Sequence, residues 1–296
     1  MRKQALRVLF VLNDGDGGAT LSAMELIESF DGSEVECFVA CHPRGAPEVF
    51  DRLRKSTKGV TRIFMPWWSV PWREPLWLRP VIWLKRMLQS GFIIVSTVRL
   101  CWKAARWKVD LIHTNTSLQL EGAFAAKILR LPHVWHIREI LYPDGSFRFH
   151  LPRSWVPRVF VAMSSRVVAN SEATARVLQK TGSIHGIEVH SNSIGTQAFC
   201  SESARKRGLS IRQEWGIPSD VTVVGMCAAI GVRLKRHDLF IDSAILVAKE
   251  KPKAKFVLCG HLPGAYGAGR SYYDSLVALI REAGMEDQFL FPGHQE

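Results

Sequence analysis

Short apolar runs alternate along the chain with segments whose apolar residues recur at helical spacing. This pattern predicts strands near 6–12, 35–40, 60–64, 109–113, 133–137 and 166–169, with helices near 18–30, 46–56, 118–130 and 171–180. β-Branched runs separated by amphipathic segments are the βαβ signature of a parallel sheet covered by helices. A second series follows a polar, basic stretch from Ser201 to Arg212: strands at 221–228 and 255–259, helices at 237–250 and 271–283, then "QFLF". The expectation is an α/β protein of two Rossmann-like, doubly wound domains, 1–198 and 199–296. The second series reaches Glu296 after about three strands, whereas such a sheet normally holds about five or six, so the second domain is expected to be incomplete.

The first apolar run ends in "NDGDGGATLSAMEL". Asp14-Gly15-Asp16 suits a carboxylate pair on a metal, because hard cations take oxygen ligands. Gly15, Gly17 and Gly18 suit a strand-to-helix loop whose amides approach a phosphate. The dinucleotide spacing is not completed, since position 20 is Thr20, and a tight turn that packs the helix onto the strand explains the same letters.

Polar clusters end other apolar runs. His113, Thr114 and Asn115 close the run at 109–113, and His136, Arg138 and Glu139 close the next, where open α/β sheets bind ligands. Ser171 follows the run at 166–169 and also suits a helix N-cap. Asn192, in "VHSNSIGTQAF", stands just before the boundary, where a plain turn also accounts for it. In the second series, Arg233, Lys235, Arg236 and His237 precede a helix. Cations at a helix N-terminus oppose its dipole, and an anion held between them would relieve that; a diphosphate fits, and a solvated basic loop is the alternative.

At 296 residues and 47% hydrophobic, the chain can bury a large core. A net charge of +12 and a pI near 9.7 suit an anionic partner: a membrane leaflet, a nucleic acid or a phosphorylated substrate. Seven of the ten tryptophans lie within 61–108 beside nine Lys/Arg and a single acid, Glu74. Trp and Lys/Arg together fit an anionic membrane surface, and equally a helix packed on the sheet. The uncharged stretch Met87–Val98 is too short to span a bilayer. Nucleic acid ranks below these, because no binding motif accompanies the tryptophans. Six scattered cysteines read as reduced, buried thiols in a cytoplasmic setting, and Val8–Leu12 is too short for an export segment. Asn115-Thr116-Ser117 matches a glycosylation sequon and is read as chance.

The order of motifs resembles the retaining glycosyltransferases of the GT-B fold, family 4. The resemblance rests on the Gly-Gly-Ala turn, "DLIHTN", "HVWHIRE", "VVANS", "VHSNSIGTQAF", and a Lys-containing loop followed by "LFIDSA" and "FVLCG". It implies a nucleotide-sugar donor bound mainly by the second domain and an acceptor, a polysaccharide or lipid-linked saccharide, on the first. Gly17 and Gly18 would approach the donor phosphate and sugar, His136 would sit beside the transferring sugar, and Lys235, with Arg233, would hold the diphosphate. His113, Asn115, Arg138, Glu139, Ser171 and Asn192 would line the acceptor side or crevice. No metal or other cofactor is expected, and no nucleic acid; a peripheral site on the inner membrane face is. Ala229 stands where the family has an Arg, and Arg236 where it has Gly. The family's paired glutamates would fall beyond Glu296, so the chain is expected to be truncated. A catalytically incompetent fragment that only binds acceptor or membrane is the alternative. A nicotinamide-dependent oxidoreductase ranks lower, since Cys41-His42-Pro43 stands where a ribose-binding acid is needed.

Overall fold

The computed structural model describes residues 5–13, 17–71, 79–141, 147–149, 151–193, 200–264 and 269–295, with backbone only for 70, 71, 79–87, 147 and 148. Asp14-Gly15-Asp16, Trp72 and Trp77 therefore lie outside the described residues, as does the side chain of Trp83. The chain divides into two compact units, Met1–Gly195 and Thr196–Glu296.

The first unit is built on a seven-stranded parallel sheet of order β3-β2-β1-β5-β6-β8-β9. Its strands are β1 (Leu6–Val11), β2 (Val35–Cys41), β3 (Gly59–Arg62), β5 (Leu111–Thr114), β6 (His133–Ile137), β8 (Arg166–Ala169) and β9 (Ile187–Val189). A small antiparallel ribbon pairs β4 (Ser69–Pro71) with β7 (Phe147–Phe149). Order reverses between β1 and β5, which opens a crevice at their C-terminal ends.

Both faces are covered, so the central strands read as continuous apolar runs. Val8, Phe10 and Leu12 face α1 (Gly18–Ser29) and α2 (Pro47–Ser56), packing with Met24, Ile27, Phe50 and Leu53. Leu9, Val11 and Ile112 face the other way, onto Leu100 and Ala104 of α3 (Arg79–Arg106) and Ala125 and Ala126 of α4 (Glu121–Leu129). Trp135 and Ile137 continue that layer against α5 (Trp155–Ala162) and α6 (Glu172–Gly182). At Gly122, α4 comes so close to β5 that a Cβ would overlap Thr114 Oγ1 and sit 3.3 Å from Val11 Cγ2.

The second unit holds α7 (Glu202–Glu214), then a parallel sheet β10-β11-β12 (Val223–Cys227, Lys255–Cys259, Phe289–Gly293). Ile241 and Ala244 of α8 (His237–Glu250) and Leu276 and Ile280 of α9 (Arg270–Glu282) pack on Phe256 and Leu258. This is the α/β architecture expected, with a seven-stranded parallel sheet and a second parallel sheet.

Several expectations need correction. The third strand ends at Arg62, because Ile63 is the last residue to bond back to β2, through Cys41 O at 2.9 Å. The polar stretch from Ser201 is helix α7: Ser201 Oγ accepts from Ala204 N at 3.1 Å, and none of the helix's residues is buried. Met87–Val98, expected to be helical but too short to span a bilayer, is helical as expected and lies in the middle of a 28-residue helix. The cysteines are all free, but Cys200 and Cys227 are exposed. Among the tryptophans, Trp68 is buried and donates to Ser117 O at 2.7 Å, Trp67 donates to Asn13 Oδ1 at 2.6 Å, and Trp107 stacks on Phe38. Trp102 is exposed.

Candidate active site

At the switch point the polar residues that close β5 and β6 converge. Alternation along the strands turns His113, His136 and Arg138 toward the α1 side, beside Phe10, whose ring lies 4.9 Å from that of His113. A pocket of about 310 Å³ opens there, lined by Ser22 and Leu26 of α1, His113, His136, Arg138, Val168 and the segment His190–Ser193.

Arg138 organises it. Its Nε donates to Asn115 Oδ1 at 3.0 Å, and its Nη1 to Ser22 Oγ at 2.8 Å and to Asn192 Oδ1. Asn115 Nδ2 in turn donates to Ala19 O at 2.8 Å. The ends of β5 and β6 and the first turns of α1 are thereby joined through neutral oxygens. Among the described residues no carboxylate forms an ion pair with Arg138, and burial brings its guanidinium down to about 10. The adjacent Glu139 is engaged elsewhere: it accepts from Thr116 Oγ1 (2.7 Å), Ser117 N (2.9 Å) and Ser117 Oγ (2.7 Å), fastening the loop after β5.

The two histidine rings lie 5.5 Å apart. Burial, reinforced by the Arg138 charge, lowers His113 to about 3 and His136 to about 2, so both are neutral at physiological pH. The Nε2 of each is buried without a hydrogen-bond partner, which leaves two polar atoms at the pocket unsatisfied. A pocket with one cation that no carboxylate pairs directly and two neutral imidazoles is suited to oxyanions and hydroxyls.

Gly17 is the N-cap of α1, with φ −72° and ψ 156°, and as a glycine brings no side chain to cap the helix. A Cβ at Gly17 or Gly18 would meet nothing within 4 Å, so close packing of the helix on the strand does not require these glycines. Ser171, by contrast, caps α6, accepting from Thr174 N at 3.2 Å, and is not among the pocket's lining residues.

In the second unit, Arg233–Lys235 form one turn of 3-10 helix ahead of α8. Arg233, Lys235 and Arg236 are exposed. Arg236 is paired with Asp238 at 3.1 Å and sits in the left-handed region, φ 59°. Arg233 lies over the Tyr272 ring, 5.0 Å from its centroid, and neither it nor Lys235 has an ion pair among the described residues. Of the two arginines, Arg233 is thus the freer.

Sequence reasoning missed Ser22 and His190. Ser22 lies a turn inside α1, away from the glycines, and His190 is set by a three-residue strand, β9, too short to read.

Residues 16–197 match the Glycosyltransferase Family 4 profile. No curated protein sequence matches the chain. Among solved structures, Anabaena HepE in complex with UDP-glucose is similar at 22% identity and a TM-score of 0.69, over 98% of this chain and 70% of that one. A glycosyltransferase from Rickettsia africae gives 13% and 0.72, over 99% and 69%. Sucrose-phosphate synthase from Thermosynechococcus elongatus gives 12% and 0.65, over 98% and 71%. These neighbours share the GT-B type of fold, and the family profile covers more than half of the sequence: the chain belongs to glycosyltransferase family 4.

Proposed function

We propose that the protein transfers a hexose from a nucleotide-sugar donor to a growing polysaccharide or lipid-linked saccharide, with retention of anomeric configuration. The observation that carries this reading is the pocket at the end of β5 and β6, where neutral His136 and His113 flank Arg138, a cation without a carboxylate partner. In such a transfer the leaving group is a nucleoside diphosphate. Catalysis therefore consists largely of stabilising growing negative charge with fixed cations and amides. Lys235 and Arg233 supply the cations to the diphosphate, Gly17 and Gly18 leave room for the donor at the uncapped start of α1, and His136 lies beside the transferring sugar. Asn115 and Asn192 hold Arg138 in place. HepE was solved with UDP, with UDP and glucose, and with UDP-glucose, which supports a UDP-sugar as the donor.

The test is calorimetric titration with UDP and UDP-glucose, followed by incubation with donor and a panel of lipid-linked and oligosaccharide acceptors. The new linkage is then read by proton NMR. Tight UDP binding and an anomeric centre matching the donor's support the proposal; an inverted centre removes retention, and absence of UDP binding removes the donor assignment.

A further inference from the structure

Helix α3 crosses the face of the sheet opposite the sugar pocket, and its outer surface is unusual. Leu88, Phe92, Ile94, Val95, Val98 and Trp102 are each more than half exposed. Their spacing puts them on one broad stripe, while Ser96, Thr97, Leu100 and Ala104 face inward. The helix contains six Lys/Arg and no Asp or Glu. At its C-terminal end Lys103 and Arg106 lie 5.0 and 5.8 Å from the Trp102 ring. On the opposite, inward side of the helix, Gln89, Ser90 and Ile93 meet Trp68, Leu120, Phe124, Val159 and Met163 around an apolar slot of about 300 Å³, which is therefore turned away from the stripe.

No helix among the described residues is long and apolar enough to cross a membrane. A contiguous apolar stripe flanked only by positive charge is the pattern of a helix lying in an interface, with anionic headgroups as its electrostatic complement. A second protein with an apolar face would not account for the absence of acid along 28 residues.

We propose that the outer face of α3 docks on an anionic lipid leaflet. Trp102 sits at the headgroup level with Lys103 and Arg106 reaching phosphates, and Phe92 and Val95 enter the apolar region. The link to a lipid-linked acceptor rests on the sugar-transfer reading above; docking itself does not.

The experiment is co-sedimentation of the full chain with phosphatidylglycerol/phosphatidylcholine vesicles, against pure phosphatidylcholine, without donor or acceptor. One lipid carries a photoreactive diazirine in its acyl chain. Binding to the anionic vesicles, release of most protein by high salt, and diazirine adducts on α3 between Leu88 and Trp102 are expected. The triple variant Phe92→Ser, Val95→Ser, Trp102→Ser should lose about tenfold or more in vesicle affinity. Its substituted side chains are exposed, so an unchanged circular dichroism melt is the control for folding. Equal sedimentation of the triple variant, indifference to lipid charge, or adducts only elsewhere overturns the docking face. A dimer in ultracentrifugation that the triple variant dissolves, with no vesicle binding, makes the stripe a protein interface and also overturns the proposal. Vesicle binding without sugar transfer would remove only the sugar-transfer reading, and transfer without vesicle binding only this one.

Discussion

Arg138 Nε and Asn115 Oδ1 meet at 3.0 Å across the ends of two neighbouring strands, and the same arginine reaches Ser22 on α1 and Asn192 after β9. One guanidinium thus fixes four chain segments around the pocket without a direct ion pair among the described residues.

Substituting Arg138→Met separates function from stability. Removing the buried guanidinium relieves its desolvation but leaves Asn115 Oδ1, Ser22 Oγ and Asn192 Oδ1 without their donor and drops the attraction of Glu139, so the melt should fall only modestly, while sugar transfer falls about a hundredfold or more. A matched fall in melting temperature and activity would mean that Arg138 is chiefly structural. The two readouts are thermal melts and initial rates.

Lys235 is exposed, so Lys235→Ala should leave the melt unchanged. Loss of a charge-assisted contact to the diphosphate should weaken donor binding by about tenfold or more and leave acceptor affinity unaltered. Equal loss of both affinities, measured by calorimetry, would remove the diphosphate role.

Glu121 is fully buried, accepts from Ser96 Oγ and Leu120 N at 3.1 Å each, and is pushed up to about 7 by burial. The unfolded chain ionises this carboxyl near 4.5, so stability falls as pH rises from about 4.5 to about 7 and then levels, by roughly 3 kcal/mol at most. Glu121→Gln should abolish that slope in denaturant titrations at pH 5 and 8. His113 and His136 give the opposite slope: held neutral when folded, they lose stability as pH drops below 6.5.

Gly122→Ala sets two effects against each other. Alanine favours a helix by about 1 kcal/mol, but its methyl would overlap Thr114 Oγ1, which is held by His133 Nε2 at 2.8 Å. Overpacking of this kind costs about 1–3 kcal/mol, so net destabilisation is expected in chemical denaturation.

The residue at 236 makes a converse case. Arg236 occupies a left-handed conformation that favours glycine, and its exposed pair with Asp238 adds little. Arg236→Gly should raise the melting temperature; a lower one would show that the pair matters more than the backbone.

The sheet and its pocket were legible in the sequence for one reason. His113, His136 and Arg138 end apolar runs, and nothing in strand packing requires such residues there. The glycines were legible as a turn but not as open space, because only coordinates reveal that a Cβ would touch nothing. Glu139 was read as lining the crevice, yet its partners Thr116 and Ser117 are defined by a loop whose path no periodicity encodes. Helix α3 was half hidden: with Ile93, Ile94, Val95 and Val98 on adjacent faces, apolar residues fill both sides and blur the 3.6-residue period. Helix α7 has no buried residue and so gave no apolar stripe to find.

Along β5, Ile112 packs toward α3 and α4 while the next residue, His113, turns to the opposite layer. The sheet is therefore a partition, with the apolar stripe on one side and the imidazoles on the other. A molecule anchored beside α3 can present its head to those imidazoles only by rounding the rim of the strands, past the loop that Glu139 stitches down. If the acceptor is lipid-linked, as proposed above, short-headed amphiphiles would be left on the wrong side and tether length would act as a filter on acceptors.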